Sequence, residues 1–294
     1  MVNSMQVNAH KFKDIVRKGL FRKYNKNYKK KLTSVFEYHD VHYSTDGNMQ
    51  HRFDVYVPAS TGERMFPILV YFHGGDYMTG DKAYTASVAR KLASTGMVVF
   101  SCNYSLAPKY TLSQIEIDVV MAIEEAMTIA ELYHGDYNAV IVGGEGVGAG
   151  LVGRTVANML ADKHDGYLAQ YILGTIGIAG RYDLSKMKDS HHKIESSVVD
   201  MLVPTEDKIE NYDSNKYVTA KYPHTLLICG NKDKYEADTT EFAAVLKKKK
   251  VKHSVVSLDT VAGDSTTDAI CGKDAKVYNT VLLAIKDYLK EILG

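Results

Sequence analysis

From Pro67 onward the chain alternates between short apolar runs and stretches with helical periodicity, and this alternation most narrows the fold. The runs are Ile68–Phe72, Met97–Asn103, Ala139–Val142, Tyr171–Ala179, Thr225–Cys229 and Ser254–Leu258. Nearly continuous apolar runs suit strands buried on both faces of a parallel sheet. Between most of them lie helical stretches at Tyr84–Ser94, Gln114–Leu132, Leu151–Ala161 and Ala237–Lys249, and Lys276–Ile292 closes the chain. The pattern predicts an α/β fold, with a mostly parallel central sheet covered by helices on both faces.

Two segments ahead of the alternation, Val35–Tyr43 and Arg52–Val57, alternate apolar and polar residues around an Asp46-Gly47-Asn48 turn and predict a hairpin. One interval interrupts the pattern. Arg181–Tyr222 is polar, with short helical signals and no strand, and is expected to form a lid insertion over the strand ends. With 294 residues, 45% of them apolar, a single large domain over residues 35–294 is the simplest organisation.

Residues 1–34 form a separate basic arm. Between residues 10 and 31 ten Lys/Arg face Asp14 alone, a net of +9, while the rest of the chain carries −8. Phe12, Ile15, Val16 and Leu20 fall at helical spacing there. The expected arrangement is a helix packed on the body with a solvated basic face; the alternative is contact between residues 10–31 and an anionic surface. No nucleic-acid partner is expected, and oligomeric state is not legible. Cys102, Cys229 and Cys271 are far apart and suggest neither a disulfide framework nor a zinc site. Met1–Lys13 holds no apolar run of signal-peptide type, and no stretch approaches a membrane span, so a cytoplasmic protein is expected.

The chemistry concentrates in Asn138–Gly150, where the apolar strand Ala139–Val142 enters a glycine turn ahead of a helix. This resembles the nucleophile elbow G-x-S-x-G. Here it reads Gly144-Glu145-Gly146-Val147-Gly148, so Gly146 stands where the serine belongs. Other segments fall in the same family's order. His73-Gly74-Gly75-Asp76 resembles the H-G-G-G motif of lipases and esterases. Asn103-Tyr104-Ser105-Leu106-Ala107-Pro108 resembles N-Y-R-L-A-P, with Ser105 for the usual Arg. Gly180-Arg181-Tyr182-Asp183-Leu184 resembles G-x-Y-D-L, and Cys229-Gly230-Asn231-Lys232-Asp233 resembles the segment carrying the triad acid. Over about residues 35–294 the chain thus resembles the α/β-hydrolase superfamily, in particular hormone-sensitive-lipase-like and acetyl-esterase-like carboxylesterases. The resemblance implies that fold and an esterase site.

Acyl transfer in such a site needs a nucleophilic oxygen, an imidazole to take its proton and a carboxylate to orient the imidazole. The resemblance assigns the acid to Asp233, the nucleophile position to Gly146 and the base position to Ala262, in Thr260-Val261-Ala262-Gly263-Asp264. Two of the three groups are missing, and His253, the last histidine, precedes the final strand. Removing a nucleophile or base lowers kcat by about 10⁶-fold and leaves roughly 10³–10⁴-fold over water. The expectation is a hydrolytically inactive pseudoenzyme, binding a small acyl, aromatic or carboxylate-bearing ligand, or acting through a partner. Plant gibberellin receptors, which resemble the same family, show that such a conversion occurs. The alternatives are an active esterase with another constellation, an engineered inactive form of one, and a peripheral protein docking through residues 10–31.

The oxyanion-hole donors need no particular side chain. They are expected in the loop His73, Gly74, Gly75, from the N–H of Gly74 or Gly75, and at Val147; the alternative is that these glycines simply keep tight turns. Glu145 is expected to point away from the pocket, Ser265 to be a loop hydroxyl, and Cys102 and Cys229 to act as small buried hydrophobes. No metal is expected: His191-His192 lacks ligand spacing, and His39 and His42, three apart on a strand, should face opposite sides. No cofactor is expected either. Gly144-x-Gly146-x-x-Ala149 matches a loose dinucleotide fingerprint, but several strands precede it and no acidic residue ends the next strand.

Overall fold

The computed structural model describes residues 34–59, 64–161, 166–189, 193–204, 207–260, 266–271 and 275–294. The basic arm at 10–31, His191-His192, Ala262 and Ser265 lie outside the described residues.

The strands are β1 (Val35–His42), β2 (Arg52–Pro58), β3 (Phe66–Phe72), β4 (Val98–Cys102), β5 (Gly135–Glu145), β6 (Ile172–Ile178), β7 (His224–Gly230) and β8 (His253–Leu258). They form one sheet in the order β1-β2-β4-β3-β5-β6-β7-β8. The pairs β1–β2 and β2–β4 are antiparallel, and the sheet is parallel from β4 through β3 to β8. The helices are α1 (Ala86–Ala93), α2 (Leu112–Thr128), α3 (Val147–Ala161), α4 (Gly166–Ala169), α5 (Leu184–Lys188), α6 (Lys193–Leu202), α7 (Ser214–Tyr217), α8 (Glu236–Lys248), α9 (Thr266–Cys271) and α10 (Ala275–Leu293).

Apart from β8, an edge strand on which Ser254, Val255 and Ser257 are exposed and only Leu258 is buried, the apolar runs are strands because both faces of the sheet are covered. Along β3, Ile68, Val70 and Phe72 enter one core with residues of α2, α3 and α8, while Leu69 and Tyr71 enter a second core against α1 and α10. The same period of two divides Val140 and Val142 from Ile141 on β5. Each of these fully buried aliphatic side chains contributes about 1.5–3 kcal/mol relative to exposure.

The predicted elements recur, with physical shifts at their ends. The hairpin turn is closed by Asp46, whose carboxylate accepts the Asn48 N–H at 2.9 Å. In β1 a register shift between Tyr38 and Val41, with Asp40 at φ 57°, interrupts the pleat, so simple alternation does not govern the His39–His42 interval. His39 instead lies 3.1 Å from Asp54. Helix α3 starts at Val147 rather than Leu151, directly after the turn. Its glycines weaken the helical signal, but packing requires two of them: a Cβ on Gly148 would collide with the Phe72 and His73 carbonyls, and one on Gly150 with the Arg181 carbonyl. The 181–222 interval contains only short helices among its described residues, and it is anchored. Tyr182, Leu184, Met187, Val199 and Leu202 join the larger core, and the Tyr182 ring stacks on Phe242 at 3.9 Å.

Candidate functional site

The parallel strands β3, β5, β6 and β7 all finish at one edge of the sheet, where ligands of open α/β folds bind. Between the end of β5 at Glu145 and the start of α3 at Val147 there is a single residue, Gly146. Its φ of +54° lies in the left-handed region, which costs an ordinary L-residue about 1–2 kcal/mol and glycine almost nothing. The turn is held from β6 and the segment after it. The Gly146 N–H donates to Ile178 O at 3.0 Å, and the Gly146 carbonyl accepts the Arg181 N–H at 2.9 Å. A Cβ added here would meet Tyr235 Cε2 at 3.5 Å and Gly74 Cα at 3.8 Å, ordinary contact distances. The elbow therefore has the shape and the room for a short side chain, and it carries none.

Glu145 faces away from the site, as its place in the strand alternation demands. Its Oε2 accepts the Tyr71 hydroxyl at 3.2 Å and the Thr267 hydroxyl at 2.9 Å.

The loop after β3 lies against this turn. Gly74 stands beside Gly146, and Val147, as first residue of α3, has an N–H with no intrahelical acceptor. Gly75 turns the loop: its carbonyl accepts both the N–H and the hydroxyl of Thr79 at 3.0 Å. The His73 side chain packs within the protein. Its ring stacks on Tyr104 at 4.4 Å, Nδ1 lies 2.6 Å from Gly74 O, and Nε2 is buried with no hydrogen-bond partner. Burial holds its pKa below the usual histidine value, opposed by the contact with the Gly74 carbonyl. The Asn-Tyr-Ser segment has a local task here. The Tyr104 hydroxyl donates to His73 O at 2.8 Å, and the Asn103 side chain bridges the Lys82 N–H and the Asp81 carboxylate.

Asp233 follows β7. Its Oδ2 accepts the N–H and the hydroxyl of Thr266, each at 2.7 Å, and its Oδ1 accepts the Tyr235 N–H at 2.9 Å. Thr266 opens α9, so the carboxylate caps that helix. Ala262 belongs to the segment between Thr260, tied to Asn231 at 3.2 Å, and Thr266. His253 begins β8 opposite Thr225 at the start of β7, at the far end of the sheet from Gly146. Cys229 is buried, and its thiol is pushed up to about 11 chiefly by that burial; Cys102 shifts the same way.

Three neighbours of the elbow carried no assigned role in the sequence. Tyr235 is 7% exposed and lays its ring edge over Gly146. Its hydroxyl donates to Asp76 Oδ1 at 3.0 Å, and the Arg181 guanidinium carbon lies 4.8 Å from its ring centroid. Burial, then the charge of Asp76, pushes the hydroxyl well above the usual tyrosine value. Asp76 stands at the fourth place of the His73-Gly74-Gly75 motif, where a glycine is expected, so its substitution was a readable signal. Tyr235 offered only its position two residues beyond Asp233.

This sheet, elbow and loop define an α/β hydrolase. The chain belongs to the family described as alpha/beta hydrolase fold, which it matches over residues 69–262, and within it to the hormone-sensitive-lipase-like and acetyl-esterase-like group. It is similar to esterase B of Lactobacillus rhamnosis, with a TM-score of 0.83 at 15% identity, covering 98% of this chain and 97% of that one. A hyperthermophilic esterase from Pyrobaculum calidifontis gives a TM-score of 0.73 at 19% identity, over 98% and 96% of the two chains. Among curated sequences it is 25% identical over 148 residues to a probable isoprenylcysteine alpha-carbonyl methylesterase of Oryza sativa subsp. japonica, covering 49% of this chain and 36% of the relative. It is 28% identical over 144 residues to kynurenine formamidase of Danio rerio, covering 48% and 45%. The chain thus spans between about a third and a half of the curated relatives it matches. Among the described residues, no helix is long and apolar enough to cross a membrane.

Proposed function

We propose that this protein is a non-hydrolytic relative of the carboxylesterases, a pseudoenzyme that uses the esterase site to bind a small acyl, aromatic or carboxylate-bearing ligand, or to engage a partner. One observation carries the reading: the residue on the elbow, held at φ +54° beside Gly74 with room for a side chain, is glycine. An attacking oxygen has no origin there. Two further features support it. Asp233 spends its carboxylate on Thr266 and the Tyr235 N–H. Asp76 sets an acidic side chain beside the loop that would hold a developing oxyanion, where negative charge opposes the transition state.

The test is hydrolysis of short p-nitrophenyl esters by the protein and by its Gly146→Ser/Ala262→His variant. The native chain is expected to give no rate above spontaneous hydrolysis. Turnover by the double variant would mark an intact esterase scaffold lacking only its reagents. Clear turnover by the native chain would overturn the proposal, and if it survived Asp233→Ala the catalytic groups would lie elsewhere.

A further inference from the structure

We propose that the elbow site is a pocket for a small phenol, and that in the free protein the Tyr235 side chain is its occupant. The inference rests on the reading above, that this site binds rather than cleaves, and it names the class of ligand.

Tyr235 is buried, yet it belongs to neither of the cores that hold the sheet together. Its apolar neighbours form a separate small group with Ala179 and Cys229, at the carboxyl ends of β6 and β7. The ring instead serves the site. One edge lies on Gly146, where a nucleophile side chain would project, and the hydroxyl reaches across to Asp76 at the end of the oxyanion loop. The Arg181 guanidinium faces the ring at 4.8 Å, and Lys234 Nζ lies 4.4 Å from its centroid.

Besides its chain neighbour Lys234, the phenol group meets the bare elbow, the loop after β3 and the segment after β6. Tyr235 and an incoming substrate cannot share that volume. A ligand that replaces it must supply a flat ring to lie on Gly146 and face Arg181, and a hydroxyl to donate to Asp76. Glycine at 146 leaves that edge of the ring uncovered, since a Cβ there would lie 3.5 Å from Tyr235 Cε2. An acyl carboxylate fits less well, since Asp76 needs a donor.

The test uses the full chain and p-cresol, which is the tyrosine side chain as a free molecule. Removing a large buried side chain can leave a cavity that binds its small-molecule equivalent. Tyr235→Ala, folded by circular dichroism, is expected to bind p-cresol saturably by calorimetry, in the millimolar range or tighter. Toluene is expected to bind about fivefold more weakly, because it cannot donate to Asp76. The native protein and Tyr235→Phe are expected to bind p-cresol at least about tenfold more weakly than Tyr235→Ala, since the ligand must first displace a ring.

A folded Tyr235→Ala that fails to bind p-cresol overturns the proposal. So does native protein that binds it as tightly, because the site would then be open or elsewhere. If Tyr235→Ala does not fold, Tyr235→Leu is judged by the same criteria. The ester assay reads the other proposal separately: native turnover without p-cresol binding sinks both, whereas p-cresol binding by Tyr235→Ala alongside native turnover leaves the pocket and removes only the non-hydrolytic reading.

Discussion

At Gly146 conformation and chemistry pull in opposite directions. A serine there holds a strained left-handed backbone for the sake of its hydroxyl, whereas glycine occupies the same φ of +54° at little cost. Gly146→Ser is therefore expected to lower stability by about 1–2 kcal/mol in urea titrations, although its Cβ finds ordinary contacts. An unchanged or raised midpoint would mean that the turn relaxes on substitution and that the glycine contributes nothing by its backbone freedom. Asp76 and Tyr77 follow with φ of 52° and 60°, consecutive left-handed residues that are not glycine. That conformation is held from outside the turn: the Tyr77 carbonyl accepts the Ala107 N–H at 2.9 Å, and Asp76 is gripped by Tyr235.

Among the elements, α9 shows what Asp233 does after β7. With six residues, it is too short to persist without outside support. Asp233 supplies that support by accepting two hydrogen bonds from Thr266 at its first turn, while Thr267 ties the next residue to Glu145. Asp233→Ala leaves the Thr266 donors and the Tyr235 N–H without their acceptor. It is expected to cost about 1–3 kcal/mol and to raise deuterium uptake across 266–271. Uptake unchanged from the native protein would show that the carboxylate does not hold this helix.

At the level of the whole molecule, the packing of His73 reaches into global stability. The ring is held neutral by burial, with its pKa below the usual value, and His224 shifts in the same direction. Unfolding releases such a histidine to titrate near about 6.5, so the unfolded chain binds the proton more readily than the folded one. The stability contributed by the neutral ring is complete above that value and is lost as pH falls below it. Urea midpoints should therefore drop between pH 7.5 and 5.5, and the drop should be smaller in His73→Gln. An equal drop in both proteins would assign the pH dependence to other groups.

The fold was legible because it rests on a signal carried by many residues at once. Each buried strand shows as an apolar run, and the parallel sheet follows from their alternation with helices. The direction of Glu145 was expected from the family resemblance, and in the structure its place in the pleat puts it against Tyr71 and Thr267. The elbow turn, the loop after β3 and Asp233 were marked by local motifs, because tight turns at strand ends demand particular residues in immediate sequence. Tyr235, Arg181 and Asp76 meet over Gly146 from three separate strand ends. No periodicity links residues 76, 181 and 235; only the closure of the sheet sets their distances. The same holds for Thr266, which reaches Asp233 across a span that local pattern does not encode. Chain-local physics thus accounts for the elements and the turn shapes, whereas which side chain fills the turn is settled when β3, β5, β6 and β7 bring their ends together.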